Sequence, residues 1–386
     1  MSHDQTAELP ASTRLWSRAA VVVTAAIFGL TYSLSAPLIA LDLAERGIGE
    51  FTIGANAAMH AVGVLAMAAV LPRLATRYGI RPLIVAALVV AAVVLAAFPA
   101  MPSIWLWFPL RLLLGAASEL LFVLSETWIN HLSDERSRAR AMAIYTAALS
   151  SGFALGPAIL SVVGSDGAVP YLVGAACAVV AMLAVLPPQV RAPRFEKPTG
   201  IKATAYLRIA PIALTTTLLN AGVETAGLSF LALYAMGFGW SEAEATRLVS
   251  TMMIGAILLQ LPIGWAGDKM DRRRLMLWLG IASVVGALIW PLVLDQPMIA
   301  YPLLFVWGGV FVGIYTMMLT LIGSRFQGAD LVGVYAVMSL AWGAGALLGP
   351  SLAGLGMDIS PHGLPIAVAL ACLVYVLFLT RTRSDA

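Results

Sequence analysis

Charged residues are scarce in this chain. Aspartate, glutamate, lysine and arginine make up only 11% of its 386 residues, against roughly 25% in an ordinary soluble domain. Hydrophobic residues reach 60%, and the mean hydropathy is +0.90. A soluble fold has too little interior to bury that much apolar surface. The composition therefore excludes a soluble globular protein and indicates one that lies in a lipid bilayer.

Residues that bind metals or act as nucleophiles are also rare. The two cysteines and four histidines are widely scattered, so neither a metal site nor a cofactor is expected. Cys177 and Cys372 lie in apolar runs, where a cysteine serves as a small packing residue. The sequence has no G-x-x-x-x-G-K-[ST] for ATP phosphates, and no H-E-x-x-H or G-x-S-x-G typical of proteases and lipases. These absences argue against an enzyme and against ATP as the energy source.

Long apolar runs recur along the whole chain. About 20 apolar residues in a helix cross the ~30 Å hydrocarbon core of a membrane. The first run has no small-residue cleavage site after it, so it is predicted to be a retained span and not a signal peptide. We predict an all-α membrane protein with twelve transmembrane helices, near residues 19–41, 52–74, 82–101, 104–131, 141–163, 168–187, 207–236, 247–266, 275–294, 298–323, 331–357 and 361–380.

The positive residues indicate how these spans are oriented. Of the 23 lysines and arginines, Arg46 and Arg247 fall in predicted outer loops and Arg111 lies inside a span. All the others face the same side if the N-terminus is inside. Because cytoplasmic loops are enriched in lysine and arginine, both termini are predicted to be cytoplasmic. The net charge of +3 then reflects topology, and no nucleic-acid partner is expected.

The two halves of the chain repeat each other. The motif G-x-x-x-G-P at 152–157 recurs at 345–350, 193 residues later, and the basic stretches 76–81 and 268–273 keep an offset of 192. Such duplication is typical of secondary transporters. The one long internal connection is rich in proline and charge and divides six spans from six. We therefore predict an N-terminal six-helix bundle, a central cytoplasmic loop and a C-terminal six-helix bundle, at 1–187, 188–206 and 207–386.

This organisation resembles the major facilitator superfamily over essentially the whole chain. The loop signature of that family, G-x-x-x-D-[RK]-x-G-[RK]-[RK], is matched from Gly264 to Arg273, with Asp271 where glycine is usual. In the first half, the stretch from Pro72 to Arg81 lacks both the leading glycine and the acid. The resemblance implies two pseudo-symmetric bundles, alternating access, a small-molecule substrate and a monomer in the bacterial inner membrane.

Span 4 and the start of span 5 make the resemblance narrower. Arg111 and Gly115 match the R-x-x-x-G of the family. The segments S-E-T-W-I-N at 125–130 and R-A-R-A-M-A-I-Y at 138–145 resemble a bacterial YcaD-like subgroup. This resemblance names no substrate.

The G-x-x-x-G-P segments predict bent, closely packed helices. Proline removes a backbone donor and clashes with the carbonyl four residues earlier, and glycines four residues apart let a neighbouring helix approach. In transporters that this chain resembles, the span-5 copy is associated with antiport. The alternative is a packing kink, and the span-11 copy must be structural at least in part. The residues concerned are Gly152, Gly156, Pro157, Gly349 and Pro350.

The basic loops predict a conformational latch. An aspartate beside several cations at the end of a helix can form ion pairs in one conformation and lose them in another. The alternative is a basic cluster that only sets topology, but that does not explain the lone aspartate. The predicted latch residues are Asp268, Lys269, Arg272, Arg273, Arg77 and Arg81.

Span 4 carries the most unusual polar chemistry. At 100° per residue, its polar side chains fall within roughly 120° of one another. An ionised side chain at mid-bilayer costs roughly 2.5–3.5 kcal/mol, so this stripe is expected to face a water-filled cavity or to be protonated. The alternative is a pair between Arg111 and Glu119 that fixes helix packing. The stripe consists of Arg111, Gly115, Ser118, Glu119, Ser125 and Glu126.

Other spans supply further candidates. Glu224 is the acid of the second half and lies one helical turn after Asn220, and Asn56 and His60 have the same spacing in span 2. We predict Glu119, Glu126 and Glu224 as proton-coupling residues. For the others, packing or interfacial anchoring is an equally good interpretation. The predicted lining of the substrate cavity is Arg111, Tyr32, Asn56, His60, Asn220, Gln260, Tyr315 and Trp342.

Together, these features predict a proton-coupled secondary transporter that exports a small organic molecule, because acids outnumber Arg111 in the predicted cavity. The nearest alternative is proton-coupled uptake of a metabolite or anion bound by Arg111. Antiport and symport use the same acids, so the sequence leaves both open. A rival from another class is a membrane receptor or scaffold that lost transport, but such a protein would have little reason to keep buried acids.

Overall fold

The computed structural model of the chain describes residues 10–132, 138–192, 210–326 and 328–382. In the first half the helices are α1 (Ala11–Glu45), α2 (Glu50–Tyr78), α3 (Ile80–Ala97), α4 (Trp107–His131), α5 (Arg138–Val163) and α6 (Val169–Val185). In the second half they are α7 (Pro211–Met236), α8 (Glu242–Leu258), α9 (Gln260–Lys269), α10 (Arg272–Val293), α11 (Pro297–Arg325), α12 (Gly328–Ile359) and α13 (Gly363–Arg381).

These helices supply the twelve predicted spans. Eleven are long and apolar enough to cross a membrane, with α8 and α9 counted as one span, Glu242–Lys269. The twelfth, α6, has 17 residues, which is at the lower limit for a membrane crossing. The prediction of an all-α membrane protein with six spans in each half is confirmed. The span predicted near 247–266 is present, and it consists of two helices that are separated at Leu259.

Local chemistry sets several helix boundaries. Ser241 caps the start of α8 in a capping box with Glu244. Asp271 caps α10 by accepting a 2.8 Å hydrogen bond from the backbone N–H of Arg274. Gly79, with φ of 81°, makes the tight turn between α2 and α3, a conformation that costs glycine little.

The chain packs as two compact units. Unit 1 comprises 1–38 and 59–199, and unit 2 comprises 39–58 and 200–386, within the described residues. The end of α1 and the start of α2 thus pack with unit 2, although they belong to the first half of the sequence. The predicted bundle boundaries remain a prediction, since packing and sequence divide the chain differently.

The central loop begins as a packed segment of unit 1. Val190 is buried, and the carbonyl oxygen of Arg191 accepts a 3.1 Å hydrogen bond from the indole of Trp128. The backbone N–H of Arg191 donates to the hydroxyl of Ser17 at 2.9 Å. Residues 193–206 of the predicted loop lie outside the described part of the chain.

Candidate functional site

The polar stripe of α4 is positioned inside unit 1. Arg111, Ser118 and Ser125 are buried, whereas Glu119 and Glu126 are partly exposed. The hydroxyl of Ser125 is 3.0 Å from that of Tyr145 on α5. The two carboxylates are seven residues apart, about two helical turns, and therefore lie on the same face of α4. Both carboxylates thus keep accessible surface, which the buried members of the stripe lack.

Near the start of α4, four helices of unit 1 bring polar and aromatic groups together. The guanidinium of Arg111 donates a 3.3 Å hydrogen bond to the carbonyl oxygen of Ser35 on α1. The rings of Tyr32 and His60 meet edge to face with centroids 4.8 Å apart. Arg111 is an electrostatic neighbour of His60 on α2, Tyr32 on α1 and Tyr171 on α6. The structure thus gathers three of the predicted cavity residues.

Gly115 explains how α4 reaches α2 at this point. A Cβ at position 115 would clash with the backbone carbonyl of His60, and one at Gly63 would clash with the carbonyl of Leu112. Only residues without a side chain allow two helix backbones to approach so closely. The glycine four residues after Arg111 is therefore required by the helix crossing.

Asn56 is fully buried at the start of α2, in the segment that packs with unit 2. Neither polar atom of its amide has a hydrogen-bond partner among the described residues. A buried amide without partners is costly, and such groups commonly mark a bound ligand or water. Asn56 is therefore retained as a candidate binding residue.

In unit 2, Glu224 faces the interior of the helix bundle. Its carboxylate accepts a 3.2 Å hydrogen bond from the amide of Asn220, one turn earlier on α7. It also lines a small cavity of about 20 Å³ with Trp290, Trp307 and Met252, which is room for about one water molecule. The indole nitrogen of Trp290 is buried and has no partner among the described residues. The sequence interpretation missed Trp290, which is one of the few polar donors in its apolar run.

The remaining predicted cavity residues are dispersed in unit 2. Gln260, at the start of α9, accepts a 2.5 Å hydrogen bond from the hydroxyl of Thr316 and donates one to the carbonyl oxygen of Gly309. These bonds tie α9, just after its break from α8, to α11. Tyr315 and Trp342 are partly exposed. Their membership of one cavity stays a prediction.

The basic loops have a structural role that the sequence interpretation missed. Arg81, at the start of α3, donates to the carbonyl oxygens of Val185, Leu186 and Pro187, at and just after the end of α6, at 3.1, 2.5 and 3.0 Å. Arg273, at the start of α10, donates to the carbonyl oxygens of Leu379 and Thr382 at the end of α13. Each arginine caps the last helix of its half. Arg81 and Arg273 are 192 residues apart, the offset of the two repeated basic stretches, and this offset could have indicated that they have equivalent roles.

The other predicted latch residues do not gather around Asp268 in this conformation. The Asp268 side chain is exposed and forms no ion pair with a described residue. Lys269 lies 3.6 Å from the ring centroid of Trp265, and Arg272 donates to the carbonyl oxygen of Thr320 at 3.2 Å. Asp271, not Asp268, is the helix cap. The guanidinium of Arg77 lies 5.2 Å from the ring centroid of Tyr78.

The two G-x-x-x-G-P segments make equivalent helix contacts. In unit 1, a Cβ at Gly152 or Gly156 of α5 would clash with the α1 backbone near Ala26 and Leu34. In unit 2, a Cβ at Gly345 or Gly349 of α12 would clash with the α7 backbone near Leu218 and Gly222. Both helices continue through their prolines, Pro157 and Pro350. The glycines are thus required by packing, and the kink remains a prediction.

Asp358, near the end of α12, was not singled out from the sequence. Its carboxylate accepts hydrogen bonds from the backbone N–H groups of Glu50 and Phe51, at 3.0 and 3.1 Å. These are the first residues of α2, whose N–H groups have no partner within the helix. A carboxylate there is also favoured by the helix dipole. The contact fastens α2 to α12 within unit 2.

Comparisons with known proteins agree with this architecture. The model of the Major Facilitator Superfamily matches residues 21–246 and 212–386. The uncharacterized MFS-type transporter YfkF of Bacillus subtilis (strain 168) is 24% identical over 346 residues, covering 88% of each chain. The uncharacterized MFS-type transporter YcaD of Escherichia coli (strain SE11) is 23% identical over 371 residues, covering 95% of this chain and 96% of its own.

Solved structures show the same fold. The nucleoside transporter NupG superposes with a TM-score of 0.78 at 15% identity, covering 96% of this chain and 100% of NupG. The D-xylose-proton symporter superposes with a TM-score of 0.76 at 14% identity, covering 96% of this chain and 98% of its own. These relatives and structural neighbours are transporters and not enzymes, and the predicted resemblance is confirmed: the chain belongs to the Major Facilitator Superfamily and is a multi-pass membrane transporter.

Proposed function

We propose that this protein is a proton-coupled transporter that exports a small organic molecule across the bacterial inner membrane by proton antiport with alternating access. It acts as a monomer of two six-helix bundles, 1–187 and 207–386, with both termini and the 188–206 loop in the cytoplasm. The observation that carries the proposal is the pair Glu119 and Glu126, two partly exposed carboxylates on one face of a membrane-spanning helix.

A carboxylate in the membrane interior is costly unless it meets water, a partner or a proton. Glu119 and Glu126 keep partial exposure, so each can exchange a proton with whichever side of the membrane the cavity opens to. The third acid, Glu224, is held by Asn220 inside unit 2. These three acids supply the titratable groups that a proton-driven transporter needs.

Alternating access also requires contacts that form in one state and break in another. We infer that the contact between Asp358 and the start of α2 is one of these. The backbone N–H groups of the helix donate to a single carboxylate, so both hydrogen bonds can break together when the two helices separate. Asp268 is exposed in this conformation and would form its ion pairs in another. We propose the two aspartates as latches that serve different states of one cycle.

The decisive experiment uses proteoliposomes with an imposed pH gradient and a pH-sensitive dye inside. Candidate compounds are added one class at a time, and proton movement is recorded with its direction. Antiport predicts that substrate moving one way drives protons the other way. If no compound class moves protons in either direction, while substrate still equilibrates across the membrane, proton coupling is wrong.

Proton-coupled uptake is the second candidate. The observation that favours it is Arg111, a buried cation with no ion pair to a described carboxylate, which suits an anionic metabolite. The D-xylose-proton symporter shares the fold at 14% identity, so the architecture is compatible with symport. In the same assay, symport predicts that protons and substrate enter together.

The proposed orientation is tested by labelling single cysteines in a variant with Cys177 and Cys372 replaced by serine. Cysteines at the exposed positions Asp166 and Asp295 should react with an impermeant maleimide added outside the cell, whereas one at Thr76 should not. The reverse pattern would contradict the orientation.

A further inference from the structure

Arg111 is a buried positive charge in unit 1 without an ion pair to a described carboxylate. Its side chain is 2% exposed, and a buried charge is stable only when it is paired and hydrogen-bonded. The bond that the structure shows goes to a neutral carbonyl, that of Ser35, while the Nε–H of the guanidinium is buried without a partner among the described residues. No described carboxylate lies within 4.0 Å of it.

The nearby acids of the sequence do not compensate this charge. Glu119 is eight residues further along α4, a rise of about 12 Å. Asp42, on α1, is bound to Arg46 at 2.7 Å. The alternative interpretation, a packing pair between Arg111 and Glu119, is therefore not supported, and Arg111 has no counter-ion among the described residues.

His60 has a similar deficit at the same place. It is 3% exposed, and both ring nitrogens are buried without partners among the described residues. A neutral imidazole still carries one N–H donor. The ring is held by Tyr32, edge to face at 4.8 Å, and by the close crossing of α2 and α4 at Gly115. Its position is thus set by packing, although its polar atoms are not satisfied.

We propose that Arg111 and His60 form an anion-binding site in unit 1. Arg111 supplies a positive charge and an unpartnered guanidinium N–H from α4, and His60 supplies an imidazole donor from α2. The His60 ring and the phenols of Tyr32 and Tyr171 lie within electrostatic range of Arg111. A small anion bound there would satisfy these donors and neutralise the charge. The ligand is either an inorganic anion such as chloride or phosphate, or the carboxylate group of the transported molecule; the second source rests on the proposed transport function.

The site is tested on purified protein in detergent, without a proton gradient. The protein is equilibrated in gluconate, a bulky anion that serves as the non-binding reference. It is then titrated with chloride, phosphate, acetate or benzoate. Binding to the folded state raises the thermal unfolding midpoint by an amount that grows with the logarithm of 1 + [anion]/Kd. We expect at least one of these anions to raise the midpoint with that concentration dependence, and Arg111→Gln to weaken its affinity by about ten- to hundredfold, the equivalent of one charged hydrogen bond.

Two further variants keep the result interpretable. Arg247→Gln removes an exposed arginine of α8 and should leave anion binding unchanged. His60→Leu removes a donor without removing the charge, so it should weaken the same anion by a smaller factor even if Arg111→Gln folds poorly. Equal binding in wild type and His60→Leu, or no response of the wild type to any of the four anions, would overturn the proposal.

The choice of anion separates the two sources. Saturable binding of chloride or phosphate assigns an inorganic ion, whereas binding of acetate or benzoate alone assigns the carboxylate of an organic substrate. Proton coupling is measured separately, in proteoliposomes with a gradient. Absence of anion binding to the wild-type protein, with intact coupling, would therefore overturn this proposal alone, and anion binding with no proton movement would overturn coupling alone.

Discussion

The two units use the same packing devices and different polar interiors. In each, a G-x-x-x-G-P helix lies against the backbone of the first helix of its half, and an arginine at the start of one helix caps the end of the last. Yet unit 1 buries a cation, Arg111, and unit 2 holds an acid, Glu224, bonded to a neutral amide. The duplication has kept the scaffold, while the chemistry inside each copy has diverged.

The largest effect is expected where the units agree. Gly156→Leu in α5 and Gly349→Leu in α12 each force a side chain into a neighbouring helix backbone. Both should destabilise the protein by about 3 kcal/mol or more, with loss of monodisperse protein in size-exclusion chromatography. Gly264→Leu in α9 is the matched control, since nothing lies within 4 Å of its added Cβ. If only one of the pair is damaging, the packing equivalence of the units is wrong.

Glutamine variants of the membrane acids test the difference between the two units. Glu119→Gln and Glu126→Gln remove a proton site but keep size and hydrogen bonding. Each should abolish gradient-driven transport and leave exchange without a gradient at least partly intact. Glu224→Gln keeps its bond to Asn220 in a cavity with room for about one water molecule, so it should reduce gradient-driven transport less. Normal pumping by both span-4 variants would make the α4 stripe structural and leave Glu224 as the acid to pursue.

The arginine caps should behave alike in both units. Arg81→Gln and Arg273→Gln each leave carbonyl oxygens at a helix end without a charged donor. Each should cost about 1–3 kcal/mol, measured as a lower thermal unfolding midpoint. Arg274→Gln is the control, because that side chain is exposed in the same helical turn as Arg273. Unequal losses would show that the two caps are not equivalent.

The aspartate that only the second half possesses should matter more than its counterpart. We expect Asp268→Asn to slow transport more than it weakens substrate binding, since a latch biases a conformational equilibrium without contacting substrate. Thr76→Ala, in the degraded first-half loop, should have a smaller effect, because the bonds of Thr76 to described residues go to carbonyl oxygens of its own helix. Transport rates and binding affinities are measured on both variants, and equal slowing would contradict the asymmetry.

The smallest effect is expected from Asp358. Asp358→Asn removes the negative charge at the start of α2 but keeps an acceptor oxygen. A charge at a helix end is worth about 0.3–1 kcal/mol, so the conformational equilibrium should shift by about two- to fivefold. Cysteine accessibility at Phe51, before and after the change, reports that shift. An unchanged labelling rate would mean that the contact does not hold one state of the cycle.

The sequence by itself determined that this protein lies in a lipid bilayer, that it is all-helical and that its two halves are duplicated. A membrane offers no water to unpaired backbone groups, so long apolar segments must form helices. The repeated motifs at 152–157 and 345–350 could therefore be assigned to membrane-spanning helices before any contact was known. The same argument located Glu119 and Glu126 on one face of α4, because helix periodicity relates residues seven positions apart.

Tertiary structure decided which partner each polar group meets. The sequence interpretation assigned Arg81 and Arg273 to a latch, and they cap α6 and α13. It left open a packing pair between Arg111 and Glu119, but Arg111 donates to the carbonyl oxygen of Ser35 and is an electrostatic neighbour of His60. It overlooked Asp358, which binds residues more than three hundred positions away. Periodicity fixes the face of a helix relative to itself, but only packing sets its rotation against other helices, and that rotation decides every long-range contact.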